Sequence, residues 1–235
     1  MRGNGIRGVG WRIVSGVARA LLGLAFLALG QLLLAQIPAL AQGVDIYAAP
    51  YCEPPPQTKL LYSNRGYLIL PKPANAPAFF YYYQILGTQT KVERAGQLLF
   101  DDGQDRWDLA SNPDGLGQLW PLRPQKKFDL DRVDGASGVH AKVSFEVLGL
   151  EPVQIGDKLY RSWKIRRLDH ADDGTTFLQF LWYAPELCTL TEFTDSQHRL
   201  VKLLRVLKPG DANYDRPVVR KKGHLYFADT NEEVK

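Results

Sequence analysis

The stretch Val139–Val153, VHAKVSFEVLGLEPV, alternates between apolar and polar side chains. Up to Val147 its apolar residues occupy every second position, and the positions between them, from His140 to Glu146, are polar. Successive side chains of an extended chain point to opposite faces, so this pattern gives one apolar and one polar face. We therefore predict a long antiparallel strand with one face on a core and the other in water.

More segments with the composition of strands follow at short intervals. They are DKLYRSWKIRRL at 157–168, TFLQFLWYA at 176–184, CTLTEFT at 188–194 and HRLVKLLRVL at 198–207. The last segment also has leucines at helical spacing, so a short helix is the alternative there. Strands joined by short turns predict an antiparallel meander. The predicted fold class is mainly β, with the meander forming a curved sheet or half-barrel.

The first half of the chain adds two further strand signals. KLLYSNRGYLIL, at 59–70, has two apolar runs around a turn sequence and predicts a hairpin. AFFYYYQILGTQTKVE, at 78–93, is rich in aromatic and β-branched residues, which fit a pleated surface. We expect both segments to extend the same β-rich domain.

Residues 1–41 differ in character from the rest of the chain. They contain four arginines and no acidic residue, then the apolar run Ala20–Ala35 and the sequence Ala39-Leu40-Ala41. A basic start, a short apolar core and an A-x-A site are the parts of a secretory signal peptide. We predict a helical signal peptide cleaved after Ala41. An uncleaved anchor is the alternative, although the run is shorter than the roughly 20 residues of a spanning helix.

Cleavage would change the charge of the protein. The whole chain has 29 Lys and Arg residues against 25 Asp and Glu residues, a net charge of +4. Because four of those basic residues lie in residues 1–41, the exported chain would carry 25 charges of each sign. Nucleic-acid binding needs a concentrated positive surface. We therefore predict no nucleic-acid partner. The cleavable signal peptide predicts a periplasmic or secreted location, with no stable membrane anchor after cleavage.

The chain that remains after cleavage has the length of a single domain. It divides into two parts. Residues 42–59 contain three consecutive prolines and predict an extended arm, and residues 60–235 predict a single β-rich domain. The chain has two cysteines, Cys52 in the arm and Cys188 in the domain. An oxidising compartment favours a disulfide between them, with two free thiols or intermolecular bridges as the alternatives.

Two motifs in the second half carry a resemblance. One is Leu119-Trp120-Pro121-Leu122 with Lys126 and Lys127 after it, and the other is WYAPEL at 182–187. Together they resemble exported bacterial proteins that are grouped as a domain of unknown function, in which the motifs are W-P-L-x-x-G-K and W-Y-(A/S)-P-E-L-G. The resemblance covers roughly residues 116–207. This chain has Gln125 and Cys188 where that pattern has glycine.

The resemblance implies an antiparallel, β-rich periplasmic domain with a curved sheet broadly similar to that of periplasmic lipoprotein carriers. It supplies no catalytic residues, because the grouped proteins have no assigned activity. Because Gln125 stands where the resembling pattern has glycine, the resemblance does not determine the conformation of that turn. A disulfide added to the scaffold would account for Cys188.

The sequence predicts no catalytic, cofactor-binding or metal site. The histidines His140, His170, His198 and His224 are dispersed, and acidic clusters at 101–105 and 172–174 fit turns better than calcium loops. Ser137, with Asp134 and His140 nearby, lacks the surroundings of a nucleophile elbow. The basic residues of 161–167, next to Asp169, indicate a solvated strand face.

Aromatic residues are the strongest functional signal. Candidate ligand-facing side chains on the predicted strands are Tyr81, Tyr83, Trp163, Trp182 and Tyr183. On a curved sheet they could line a cavity for an apolar ligand or stack on a glycan, and a packed core accounts for the same residues. The sequence favours a non-enzymatic module that binds an apolar or glycan ligand or an envelope protein, without a cofactor. A hydrolase acting on an envelope polymer or glycan is the alternative.

Overall fold

The computed structural model describes residues 48–75, 80–87, 91–96, 105–107, 116–134 and 138–235. The predicted signal peptide and the first residues of the predicted arm lie outside these ranges. Residues Ala48–Lys235 belong to one compact unit. No helix in the described ranges is both long and apolar enough to span a membrane.

The described residues form strands and one short 3-10 helix at Leu116–Leu119. The strands are β1 Lys59–Tyr62, β2 Gly66–Leu70, β3 Phe80–Ile85, β4 Lys91–Gly96, β5 Asp105–Trp107, β6 Lys127–Asp134, β7 His140–Ile155, β8 Lys158–Ala171, β9 Thr176–Ala184, β10 Thr189–Thr194, β11 Leu200–Leu207, β12 Val218–Lys221, β13 His224–Phe227 and β14 Glu232–Glu233. The fold is mainly β, as the alternating sequence predicts.

Eleven of the described strands form one antiparallel sheet, in the order β4-β3-β2-β1-β11-β10-β9-β8-β7-β6-β5. The meander from β5 to β11 therefore continues into the N-terminal hairpins through the pairing of β11 with β1, which begins at Lys59 opposite Leu207. The sheet is open, with β4 and β5 at its edges in the described residues. The predicted antiparallel meander is confirmed.

The segment at 198–207 is a strand, so the helical alternative is wrong. Val201 and Leu203 of β11 are buried, whereas Leu200 and Lys202 are exposed. A helix would place Leu200, Leu203 and Leu204 on one side, but pairing with β10 and β1 enforces the period of two. Tertiary pairing has overridden the local leucine spacing.

The sheet is strongly curved. β7 contacts β10 and β11, although β8 and β9 lie between them in the strand order. One hydrophobic cluster joins buried side chains of β1–β3 to those of β6–β11. We call the concave side that carries this cluster the inner face and the opposite side the outer face. The predicted curved sheet or half-barrel is therefore correct.

A second sheet, β12-β13-β14, forms a separate hydrophobic cluster with the outer face of β1 and β11. Leu61 of β1 and Leu207 of β11 pack there with Val218, Leu225 and Phe227. Leu60, the neighbour of Leu61, belongs to the inner-face cluster instead. Strand β1 is thus buried on both faces, and the C-terminal sheet covers only part of the outer face.

The inner face also buries an ion pair. Arg167 and Asp169 of β8 are 5% and 3% exposed, and two hydrogen bonds of 2.8 and 2.6 Å join the guanidinium to the carboxylate. Arg132 Nη2 of β6 lies 3.7 Å from Asp169 Oδ2. The prediction of a solvated face is wrong for these two residues, because their odd positions place them on the same face as Trp163 and Ile165.

Candidate functional site

The two motifs that carry the resemblance meet in space. The 3-10 helix ends beside Trp120, whose peptide bond to Pro121 is cis. The Trp120 ring lies edge-on to the ring of Tyr183 at the end of β9, with centroids 4.9 Å apart. Lys126 Nζ donates a hydrogen bond of 2.9 Å to the Trp120 carbonyl, and burial lowers the pKa of that amine. The motifs therefore form one packed junction.

The N-terminal arm is fastened to this junction. Cys52 Sγ and Cys188 Sγ are bonded at 2.17 Å, with Cα atoms 5.2 Å apart. The Tyr183 hydroxyl donates a 3.3 Å hydrogen bond to the Cys52 carbonyl, and burial raises the pKa of that hydroxyl. Ala49 and Leu122 exchange two backbone hydrogen bonds of 3.1 and 2.9 Å. Covalent, polar and backbone contacts all hold the arm at the same place.

The two positions at which this chain departs from the glycines of the resemblance keep a conformation that favours glycine. Gln125 has φ 63° and Cys188 has φ 52°. The backbone N–H of Gln125 donates to the Val147 carbonyl at 2.8 Å, which ties its turn to β7. Left-handed φ values are uncommon outside glycine because Cβ crowds the backbone. Gln125 and Cys188 therefore each carry a side chain in a backbone conformation that favours glycine.

The predicted ligand-facing aromatics divide between the two faces. Tyr83, Trp163 and Tyr183 are buried in the inner-face cluster. Tyr83 packs edge-on against Tyr67 with centroids 5.0 Å apart. Trp182 points to the outer face, because it alternates with the buried Leu181 and Tyr183 along β9. The side chain of Tyr81 lies outside the described residues.

The inner face is filled around these rings. Trp163 is 1% exposed and Tyr183 is fully buried, and both touch other members of one continuous cluster. That cluster includes Leu122 and Leu119 from the motif junction as well as residues of the strands. The described rings of Trp163 and Tyr183 are therefore in core packing.

Trp182 is held in a polar contact on the outer face. Its indole N–H donates a 2.7 Å hydrogen bond to Glu151 Oε2, and Lys164 Nζ lies 3.0 Å from Glu151 Oε1. The same Lys164 amine lies 5.1 Å from the centre of the Trp182 ring and 5.6 Å from that of Phe180. The hydrogen bond from Trp182, followed by that from Lys164, lowers the pKa of Glu151. These contacts hold Trp182, Glu151, Lys164 and Phe180 together, and each of the four side chains is half-exposed.

The rest of the outer face of β6–β11 is a mixture of ion pairs and exposed leucines. The ion pairs are Lys127–Glu146, Arg166–Glu146, Lys142–Asp129 and Lys202–Glu192, at 2.5 to 3.5 Å. Leu148, Leu178 and Leu200 are 42%, 37% and 43% exposed. Leu148 sits at a β-bulge opposite Lys164. On this face, the charged side chains of these four pairs are neutralised by their neighbours, and the three leucines remain exposed to solvent.

A shallow cleft of about 160 Å³ lies on the same face, between β6, β7 and β8. Its two carboxylates, Asp129 and Glu146, both pair with cations. Hydrogen bonds from Lys142 and Ser144 lower the pKa of Asp129. A glycosidase needs one carboxyl group with a raised pKa to act as the acid. The environment of Asp129 shifts its pKa in the opposite direction, so Asp129 does not fit the role of that acid.

The other catalytic and metal candidates do not converge in the described ranges. No group of three or more potential metal ligands occurs there. Asp173 accepts a 2.8 Å hydrogen bond from the Thr175 N–H within the β8–β9 turn. Ser137 and the acidic residues at 101–104 lie outside the described residues, as does the side chain of Asp134. Cys188 is occupied by its bond to Cys52.

Sequence analysis missed three residues of the outer face. Phe180, Lys164 and Glu151 surround Trp182, yet none of them was a candidate. The alternation of Leu178, Phe180 and Trp182 on one side of β9 was a signal that could have found the aromatic residue. The pairing of Glu151 with Trp182 crosses β8 and also follows a bulge in β7, so spacing alone could not show it.

No family model matches the chain, and no curated protein matches it. Two solved structures are similar in part. The hypothetical lipoprotein YmcC from Escherichia coli K12 has 9% sequence identity and a TM-score of 0.39, over 69% of this chain and 89% of that one. An exported protein with a YmcC-like fold from Bacteroides fragilis has 13% identity and a TM-score of 0.35, over 68% of this chain and 100% of that one. The sites described above rest on the residues of this chain alone.

Proposed function

We propose that this protein is an exported, non-enzymatic module of the cell envelope that binds other macromolecules through its surface. The observation that supports the proposal is the burial of the candidate aromatic residues of the inner face. Trp163 and Tyr183, which would line an enclosed site, are already packed in the core. Ligand pockets in proteins typically have volumes of about 300–1,000 Å³. A ligand that stacked on either of these rings would have to displace the side chains packed against it.

The chemistry of the exposed groups supports a binding role over a catalytic one. Glu146, Glu151 and Asp129 each pair with at least one cation, and the pKa values of Glu151 and Asp129 are lowered. Catalytic acids are usually groups whose pKa is raised toward the working pH. The surface carboxylates of this sheet are therefore suited to holding neighbouring side chains in place.

Two features support export. Residues 1–41 have the three parts of a signal peptide. Cys52 and Cys188 form a bond that persists in oxidising compartments. A periplasmic or secreted location is consistent with both features.

The test is expression of the full chain in a bacterium with an oxidising periplasm, followed by purification without detergent or denaturant. We expect an N-terminus at Gln42 and native mass spectrometry peaks at the mass of the protein alone. Extraction with organic solvent should release no stoichiometric lipid or glycan. A ligand that co-purifies at one equivalent, and is lost in Trp163→Ala but retained in Trp182→Ala, would overturn the surface-binding proposal.

A further inference from the structure

We infer that the outer face of β8 and β9 is a self-association surface on which a second copy of this chain packs in two-fold symmetry. The proposal goes beyond the surface-binding role, because it names the occupant and the contacts. It rests on the arrangement of two neighbouring columns of side chains and on the charge balance around them.

The two columns lie side by side and in register. Lys164, Arg166 and Leu168 point outward from β8, and they pair with Trp182, Phe180 and Leu178 of β9 respectively. The β8 column therefore consists of two cations and a leucine, and the neighbouring β9 column consists of two aromatic residues and a leucine. Lys164 already lies over both aromatic rings within one chain, which shows that the rings accept a cation.

This part of the outer face is open, whereas another part is covered. The β12–β14 sheet packs on the outer face of β1 and β11 through Leu61, Leu204 and Leu207. Over β7–β9, by contrast, Leu148 and Leu178 remain 42% and 37% exposed in the described structure. Along β9, the exposed Leu178 is followed on the same face by the half-buried Phe180 and Trp182. Contiguous apolar surface rimmed by polar residues is typical of protein interaction sites. The open region continues a face that a β-sheet already covers elsewhere.

The charge balance of the face selects against polyanions. Among the described residues of this face, the pairs Lys127–Glu146, Lys164–Glu151 and Lys202–Glu192 neutralise each other locally. A nucleic acid or an anionic membrane is attracted by a net positive field, which this face lacks. A neutral partner with alternating charges and apolar residues fits better, and a second copy has that composition.

Two-fold symmetry makes the columns self-complementary. Consider an axis that runs along the strands in the interface plane, midway between β8 and β9. Rotation about it places β8 of one copy over β9 of the other, at the same height along the strands. Arg166 then faces Phe180, Lys164 faces Trp182, and Leu168 faces Leu178 across the interface. An isologous contact of this kind uses one patch twice and closes after two copies.

Because the outer face is the convex side of the sheet, the contact is confined to the strands beside the axis, β8 and β9. Packed sheets usually keep their strand directions within about 30° of each other, with side chains interdigitating across roughly 10 Å. Cations that stack on aromatic faces and leucines that pack together are compatible with such a layer. The pairing of Arg166 with Glu146 leaves the flat side of its guanidinium available for a ring.

The experiment is sedimentation equilibrium of the purified exported chain from about 1 to about 200 µM. We expect a reversible monomer–dimer equilibrium. Phe180→Lys places a lysine opposite Arg166 at both symmetric sites, and Arg166→Glu removes the contact between cation and ring at both. Each variant should therefore raise the dimer dissociation constant at least about tenfold. Leu159→Glu is the matched control, because Leu159 is 70% exposed at the β7–β8 hairpin and lies off the two columns.

A mixture of the two variants supplies the specific check. When Phe180→Lys is mixed with Arg166→Glu, one of the two symmetric contacts becomes a Lys–Glu pair and the other keeps the native Arg–Phe contact. We expect the mixture to dimerise more tightly than either variant alone. Near-ultraviolet circular dichroism verifies that both variants are folded, and if one fails to fold, Trp182→Ala replaces it.

Two results would overturn the inference. One is a wild-type protein that stays monomeric across the whole concentration range. The other is a dimer that persists unchanged in the folded variants and in their mixture, since its interface would then lie elsewhere. Neither result bears on the test of the surface-binding role, because that test measures co-purified ligand and not the oligomeric state.

Discussion

Trp182 and Tyr183 are neighbours on β9 and point to opposite faces of the sheet. Tyr183 is fully buried against Trp120, and Trp182 is half-exposed with its indole N–H on Glu151. The same dipeptide therefore contributes to the core with one ring and to the surface with the other. Along β9, alternation therefore separates a core ring from a surface ring.

The first prediction compares two tryptophans on opposite faces. Trp163→Ala should lower the free energy of unfolding by about 3–5 kcal/mol, because it removes a buried ring from the inner-face cluster. Trp182→Ala should cost clearly less, since its ring is half-exposed. Urea denaturation followed by circular dichroism measures both. Equal losses for the two variants would contradict the assignment of the faces.

The second prediction concerns the titration of Glu151. Its pKa is lowered in the folded protein, so ionised Glu151 contributes stability above its unfolded pKa, and that contribution is lost as pH falls through the folded pKa. Trp182→Phe removes the largest cause, the indole hydrogen bond, and should move the pKa of Glu151 upward. Carbon-detected NMR titration of the carboxylate measures this shift. Phe180→Leu, which keeps the hydrogen bond, is the control and should leave the pKa nearly unchanged.

The meander could be predicted because its information is local. Alternation within β7, β8 and β9 fixes which side chains share a face, and short turns force antiparallel pairing of neighbours. The pairing of β1 with β11 could not be predicted, because Lys59 and Leu207 are far apart in sequence and neither segment encodes its partner. Long-range pairing depends on the whole sheet and on the cover provided by β12–β14.

The candidate site was predictable only in part, for a related reason. Period-two alternation places Arg167 on the same face as Trp163, which is buried. Because Arg167 is charged, we expected it to be exposed to solvent, so its burial was not predicted. Burial of that guanidinium is stable because Asp169, two positions along the same strand, lies on the same face and accepts both hydrogen bonds. On the outer face, the bulge at Leu148 changes the register and brings Glu151 within reach of Trp182.

The third prediction tests the buried ion pair. Asp169→Ala should destabilise the protein by about 3–5 kcal/mol, because it leaves the buried Arg167 guanidinium without its carboxylate. The matched control is Glu146→Ala on the outer face, which removes the partner of the exposed Arg166 and should cost about 1 kcal/mol or less. Guanidinium chloride would screen the charges, so urea is the denaturant. A loss of under about 1 kcal/mol for Asp169→Ala would show that Arg167 is not buried with its charge.

The fourth prediction tests the clasp between the arm and the domain. Cys52 and Cys188 are 136 residues apart, and the chain-entropy account gives about 4–5 kcal/mol for closing such a loop. The double variant Cys52→Ser, Cys188→Ser should therefore unfold at a lower urea concentration than the wild type. A reducing agent should lower the midpoint of the wild type and leave that of the double variant unchanged. If reduction shifts both equally, the effect does not come from this disulfide.

The fifth prediction concerns Gln125, whose φ of 63° lies in the left-handed region that favours glycine. A left-handed residue with a Cβ costs roughly 1–2 kcal/mol, and glycine avoids that cost at the expense of some unfolded-state entropy. Gln125→Gly should therefore stabilise the protein by up to about 1 kcal/mol. Lys202→Gly, at an exposed position inside β11, is the control and should destabilise by about 0.5–1 kcal/mol, because glycine weakens a strand interior. A destabilising Gln125→Gly would mean that the glutamine side chain makes a contact worth more than the relieved backbone conformation.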